Sequence, residues 1–156
     1  MSEGEKLIAS NRRARHDYEI LERFEAGIAL QGTEVKSLRN GKLSFKDSYA
    51  DVRNGEMYLR GANISPYEQG NVFNHDPERP RKLLMHKGEI TRLKSKSEEG
   101  GLTLVPLRMY FKRGIAKVEI ALCRGKHKGD KRDTLRERVA QRETDRYLKG
   151  VKTGKV

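Results

Sequence analysis

The chain of 156 residues holds one cysteine, Cys123. No intramolecular disulfide can form, and no thiolate cluster can hold zinc. A lone cysteine closing an apolar run reads as a small buried hydrophobe rather than a nucleophile. Histidine is sparse as well: His16, His75, His86 and His127 include no His-x-x-x-His pair that could grip a metal from one helix face. His75 sits in a Pro-rich loop and reads as a turn residue. No apolar run is long enough to span a membrane. Met1–Ser10, with acids at Glu3 and Glu5, lacks the apolar core of a secretory leader. Gly125-Lys126 lacks the surrounding residues of a phosphate-binding loop. The carboxylates are interleaved with Lys and Arg, so solvated ion pairs are expected in place of a general acid and base. No cofactor, metal site or catalytic constellation is expected, and the chain reads as a cytoplasmic non-enzyme.

Positive charge is abundant instead. The formal net charge is +12, which makes nucleic acid the default partner class. It is unevenly placed: residues 124–156 carry twelve Lys/Arg and five Asp/Glu. Their strongly apolar residues are Leu135, Val139, Tyr147, Leu148, Val151 and Val156. The expected division is therefore a β-rich RNA-binding body over 1–123 and a basic tail over 124–156 that orders only against a polyanion.

The body reads as short strands and strong turns. Tyr18, Ile20, Phe24, Ile28 and Leu30 share one parity, the period of a half-buried strand. Thr33–Gly41 has the ends of a short helix, with Thr33 as cap and Gly41 as stop. Asn54-Gly55 marks a hairpin between flanking β-formers. His86–Ser97 has helical composition. Leu102–Arg113 and Ile115–Leu122 form a second hairpin, and its first strand, apolar on both parities, should be covered on both sides. Residues 1–10 read as a loose lead-in, and Asn11–His16 as a basic run entering the first strand. The fold class is mainly β: a small antiparallel barrel of the oligonucleotide-binding type, with short helices and a basic C-terminal tail disordered when free.

Two groups of residues suit RNA. On the body Arg13, Arg15, His16 and Tyr18 interleave cations with rings, which pair phosphates and stack on unpaired bases. Tyr18 reads equally as a core or edge-strand aromatic, and His16 as an ordinary surface histidine. In the tail, Lys131, Arg138, Arg142, Arg146 and Lys149 fall within a sector of about 80° when wound as a helix. Asp130 or Asp133 could cap that helix and Gly150 end it. Leu135 and Val139 give little apolar stripe, so alone it should be marginal in water. A solvated tail without a role is the alternative.

Longer motifs carry a resemblance. Asn11–Tyr18 (NRRARHDY), Phe24–Arg39 (FEAGIALQGTEVKSLR), Asp47-Ser48-Tyr49, Gly61–Ile64, Arg81–Leu84, Leu104–Leu107, Lys117-Val118, Gly125-Lys126 and Asp130-Lys131-Arg132, in that order, resemble the SsrA-binding protein (small protein B) family over residues 10 to 146. The resemblance implies a monomeric, non-catalytic adaptor that binds the tRNA-like domain of transfer-messenger RNA. It further implies delivery, with elongation factor Tu, to a stalled ribosome for trans-translation. The tail would turn helical in the small-subunit decoding region and the empty mRNA channel. The implied RNA contacts are Asn11, Glu25 and Leu84, extended by Arg13, Arg15, His16 and Lys36. In the tail the implied contacts are Lys126, His127, Asp130, Lys131 and Arg132, with Arg138, Arg142 and Arg146 beyond. Gly129 stands where many relatives carry a ring, and His127 is the candidate substitute. A ribosomal structural protein with a threaded basic extension is the competing reading, and an RNA-cleaving or RNA-modifying enzyme a third.

Overall fold

The structure is a computed structural model; it describes residues 4–68, 74–126 and 131–152, and of 131–134 and 149–152 the backbone only. The described elements run β1 (Glu5–Ser10), α1 (Arg12–Asp17), β2 (Tyr18–Ile28), α2 (Gly32–Arg39), β3 (Leu43–Ser44), β4 (Tyr49–Arg53) and β5 (Glu56–Arg60). They continue with β6 (Asn63–Ile64), β7 (Arg81–Leu84), α3 (Lys87–Ser97), β8 (Leu102–Lys112), β9 (Ile115–Gly125) and α4 (Lys131–Lys152).

The large sheet is antiparallel and closes. Its order is β1-β8-β4-β5-β7-β2-β9, and β9 pairs back onto β8. The long hairpin β8–β9 turns on Arg113 (φ 52) and Gly114 (φ 80), and β4–β5 turns on Asn54 (φ 52) and Gly55 (φ 77). Both turns need left-handed backbone at two successive residues, which the side chain of Asn and the absence of one in Gly tolerate. β8 meets β4 through its first half, at Leu104↔Ala50, and β1 through its second, from Arg108↔Ser10 to Lys112↔Glu5. Between these halves the register shifts after Pro106, a residue that cannot donate to a ladder and so belongs at a bulge.

Two apolar clusters result. The first, including Met57, Leu59, Leu83, Leu104, Met109, Val118 and Ile120, lies inside the closed sheet. The second gathers Ala14, Tyr18, Tyr49, Val105, Leu107, Ala121 and Cys123 with Leu135 and Val139. As its alternating side chains require, β8 is covered on both faces. Cys123 is fully buried, and burial pushes its thiol up to about 12, in keeping with a structural role.

A buried ionic pin ties α2 to β7. Arg81 Nε donates to Glu34 Oε2 at 2.6 Å and Arg79 Nη2 to Oε1 at 2.6 Å, while Gln31 N donates to Oε1 at 2.7 Å. Gln31 therefore caps α2 in place of Thr33, through the reciprocal use of Glu34 three residues on. Thr33 serves elsewhere: its Oγ1 lies 2.9 Å from Nδ1 of buried His75, whose Nε2 lies 2.8 Å from the Ile64 carbonyl.

Two segments differ from the sequence expectation. The lead-in is strand β1, because the second half of β8 offers an edge that a strand can complete. The basic run 12–17 is a helix, capped by Asn11 Oδ1 accepting from Ala14 N at 3.3 Å. The basic tail forms helix α4, which lies on the body and continues through Gly150 to Lys152, with Asp133 inside it. Leu135 and Val139 are only 9% and 4% exposed. Two apolar residues suffice because the body meets the same helix face with carboxylates.

Candidate nucleic-acid interface

The expected RNA residues separate into two patches along β2. Gly27, near one end, pairs with Leu84 on β7, and Glu25 stands two residues before it. Tyr18, at the other end, follows α1. Seven residues of strand from Tyr18 to Glu25 put the patches about 23 Å apart.

The first patch is a groove lined by Glu25, Gly27, Lys82, Leu84, His86 and Lys117, among others. Leu84 projects there 53% exposed, unusual for a leucine with apolar surface nearby. Gly27 makes room for it: a Cβ on Gly27 would stand 3.2 Å from Leu84 Cβ. Glu25 accepts a short hydrogen bond from Tyr110 Oη, and Lys112 Nζ lies 3.5 Å from the same carboxylate. The tyrosine hydrogen bond is the main reason the Glu25 carboxyl sits below its ordinary value. The same contact, after burial, pushes the Tyr110 hydroxyl up. Arg108 stacks on the Tyr110 ring at 4.3 Å. Glu25 is thus an anion held in place, with one oxygen engaged and the carboxylate partly open to a base edge or backbone hydroxyl.

The second patch is α1. Arg13 and His16 are exposed and both reach Asp17, at 3.7 Å and 3.0 Å. Arg15 is exposed too, and its carbonyl accepts from Lys126 Nζ at 3.0 Å. Asn11 works inward: besides its cap, its Nδ2 donates to the Pro106 carbonyl at 2.9 Å. It anchors the helix on which the cations ride. Tyr18 does not offer a stacking face, since its ring is 6% exposed within the second cluster. The core alternative holds for it. Lys36, on α2, lies 5.5 Å over the Tyr67 ring.

Of the tail residues, His127 and Asp130 lie outside the described residues. Lys131 and Arg132 belong to the first turn of α4, with backbone alone described. Arg138, Arg142 and Arg146 do share one face, as the helical spacing predicts, and that face is turned to the body. Arg138 Nη1 meets Asp47 Oδ1 at 2.9 Å; Arg142 meets Asp47 Oδ2 at 3.4 Å and Glu78 Oε1 at 2.9 Å. Arg142 also donates to the carbonyls of Gly61 (3.0 Å) and Lys46 (3.3 Å). Arg146 Nη2 closes on Asp76 in a short contact. Burial would raise the Asp76 carboxyl, but Arg146 and the Glu78 N–H outweigh it and hold the group below its usual value. A half-exposed pair such as Arg146–Asp76 contributes about 0–1 kcal/mol, and each buried apolar side chain about 1.5–3 kcal/mol; Arg142, its side chain 27% exposed, is the more enclosed partner.

Sequence reasoning missed Tyr110, Lys112 and Lys117 beside Glu25, and Asp47, Asp76 and Glu78 beneath the tail. Asp47 and Gly61 each open a motif of the resemblance, which was the available signal. Among the described residues no group of three or more His, Cys, Asp or Glu could hold a metal ion, and no helix is long and apolar enough to cross a membrane.

Comparison with known proteins extends the likeness to nearly the whole chain. The family model described as SmpB protein matches residues 8–150. An SsrA-binding protein of Desulforudis audaxviator (strain MP104C) is 60% identical over 148 residues, 95% of this chain and 97% of that protein. One from Moorella thermoacetica (strain ATCC 39073 / JCM 9320) is 62% identical over 145 residues, 92% and 94% of the two chains. A solved structure described as "tmRNA-SmpB: a journey to the center of the bacterial ribosome" superposes with a TM-score of 0.65 at 57% identity. That likeness covers 82% of this chain and 94% of the other.

Proposed function

Because the chain belongs to the SsrA-binding protein family, we propose that it binds the tRNA-like domain of transfer-messenger RNA and brings it to stalled ribosomes for trans-translation. The observation that carries this reading is the extent of the family match, which spans both body and tail. In this reading Glu25 and Leu84 contact the RNA at the groove, with Arg13, Arg15 and His16 on α1 and Lys36 on α2 as cationic approach. Asn11 supports α1 from beneath. The tail, from Lys126 through Asp130, Lys131 and Arg132 to Arg146, engages the small-subunit decoding region and the empty mRNA channel. The protein acts as a monomeric, cytoplasmic, non-catalytic adaptor, and elongation factor Tu joins the delivery complex.

Two physical features support the division of labour. The groove presents an exposed leucine beside a fixed carboxylate, a pair that can pack on one base and accept from another group. The tail presents arginines at helical spacing, suited to phosphates along a groove. Removing residues 130–156 is expected to leave affinity for the tRNA-like RNA within about threefold and to abolish tagging on ribosomes stalled at a 3′ end. Tagging by the truncated protein would overturn the reading. Sequencing the RNA that co-purifies with the chain is expected to return one dominant tRNA-like species. Equal occupancy of all ribosomes would favour the structural-protein alternative.

A further inference from the structure

Glu25 has company on its face of the sheet. Across the ladder it lies opposite Glu119 on β9, and Glu119 lies opposite Arg108 on β8. Residues directly opposite share a face, so two carboxylates meet there, an arrangement that costs stability unless a cation answers it. Among the described residues no hydrogen bond reaches Glu119 Oε1, and Arg108 Nε stands 3.6 Å from it. The same guanidinium lies 4.3 Å over the Tyr110 ring, and Tyr110 Oη donates to Glu25 from two strands away. Lys112 and Lys117 are the other cations beside Glu25. What holds Arg108 is β1. Its Nη1 donates to Glu5 Oε1 at 3.3 Å, and the Glu5 side chain is 8% exposed. Burial works against the Arg108 charge, but Glu5 and Glu119 outweigh it and hold the guanidinium above its ordinary value.

We propose that Arg108 is a positioning residue for Glu25. Held by Glu5, it answers the Glu119 charge that would otherwise bear on Glu25, and it lies on the ring whose hydroxyl orients that carboxylate. A cation against the face of a phenol is attracted by the ring electrons. It draws them from the oxygen and makes the hydroxyl the stronger donor, and a hydrogen bond to an ionised acceptor is of the stronger class. The chain Glu5–Arg108–Tyr110–Glu25 runs from β1 to the groove, so the first strand, at the opposite side of the β8–β9 hairpin from β2, sets the direction of a residue assigned to RNA. This rests on the reading that Glu25 contacts RNA, and it adds to that site a residue that acts without touching RNA itself.

The test uses the full chain. Glu5→Gln with Arg108→Gln replaces the ion pair by two amides that can still hydrogen-bond. It strands no buried acid on β1 and leaves the net charge unchanged, so general attraction to RNA predicts no effect. Arg108→Lys keeps the cation and is the rescue. The first readout, without RNA, is the NMR titration of the Glu25 side-chain carboxyl, with the buried Glu34 carboxyl as the marker of an intact fold. The double variant is expected to move the Glu25 titration upward, toward its ordinary value, because the Tyr110 donor weakens and Glu119 is left unanswered. Arg108→Lys should restore most of the wild-type position. The second readout is affinity for a transcript of the tRNA-like domain, expected to fall about threefold in the double variant and to stay within about 1.5-fold for Arg108→Lys. In a Glu25→Gln background the same double substitution should change affinity by less than about 1.5-fold, since both act through one carboxylate. A Glu25 titration that does not move in the double variant would overturn the proposal. So would an equal loss of affinity in the Glu25→Gln background, which would make Arg108 a direct phosphate contact. Failure of the wild-type chain to bind the transcript would sink the RNA reading, on which the titration does not depend.

Discussion

Glu34 and Arg81 meet at 2.6 Å with neither side chain exposed. The pair survives burial because nothing in it is left over: Glu34 accepts also from Arg79 and Gln31, and Arg81 donates to the carbonyls of Ala62 and Pro77. It fixes α2, and with it Lys36, against β7, which carries Leu84. A fully satisfied buried ion pair is costly to break from one side, since the remaining charge stays buried without its partner.

Glu34→Gln is therefore expected to lower unfolding free energy by about 3–5 kcal/mol, read from urea midpoints. Burial raises the Glu34 carboxyl, but the two arginines and the Gln31 N–H outweigh it and the net shift is downward. A depressed folded value means that the stabilisation is complete above the unfolded value, near 4.3. It is lost as pH falls through the lower folded one. The difference between wild type and Glu34→Gln should shrink below about pH 4. A difference constant down to pH 2 would show that Glu34 acts by shape alone.

Tyr110→Phe removes the hydroxyl that orients Glu25. The Glu25 carboxyl should then titrate closer to its ordinary value in an NMR pH series. Affinity for the tRNA-like RNA should fall about three- to tenfold, a fraction of the strength of a hydrogen bond to a charged group. Unchanged affinity would mean that Glu25 needs no fixed orientation.

Leu84→Ala should separate stability from binding. The side chain is half exposed, so unfolding free energy should change by less than about 1 kcal/mol. RNA affinity should fall about fivefold, as covering the exposed half of a leucine side chain with a base recovers about half of the roughly 1.5–3 kcal/mol of full burial. Calorimetry and filter binding on the same preparation check both, and a destabilised variant with intact binding would reverse the assignment.

RNA affinity should fall with salt at a log–log slope of about −0.7 to −0.9 per phosphate neutralised. Arg13→Ala combined with Arg15→Ala should make the slope shallower by about one to two. A slope unaffected by those substitutions would remove α1 from the interface.

Local signals were the legible ones. Asn54-Gly55 carries its turn in its own conformational freedom, and the period-two run from Tyr18 marks a strand without reference to any partner. The groups of motifs carried the family. Features made by distant pairs stayed hidden. Nothing within residues 1–10 announces that β8 has an open edge for them. Glu25 gives no sign that a tyrosine on the other strand will orient it, and Tyr18 looks the same on paper whether it stacks on a base or fills a core. The seat of α4 stayed hidden for the same reason: its two apolar residues are few, and the acids that complete it are scattered through the body's loops.

The pairing of β1 with the far half of β8, Glu5 against Lys112, has a consequence for biosynthesis. The first strand leaves the ribosome roughly a hundred residues ahead of its mate, and such remote closures make folding slow. Until β8 is translated, Leu7 and Ile8 travel on an unzipped ribbon open to chaperones and to neighbouring nascent chains. A protein proposed to rescue halted translation would itself be vulnerable to halting: any product truncated before β8 lacks the seam that closes its barrel and anchors its beginning.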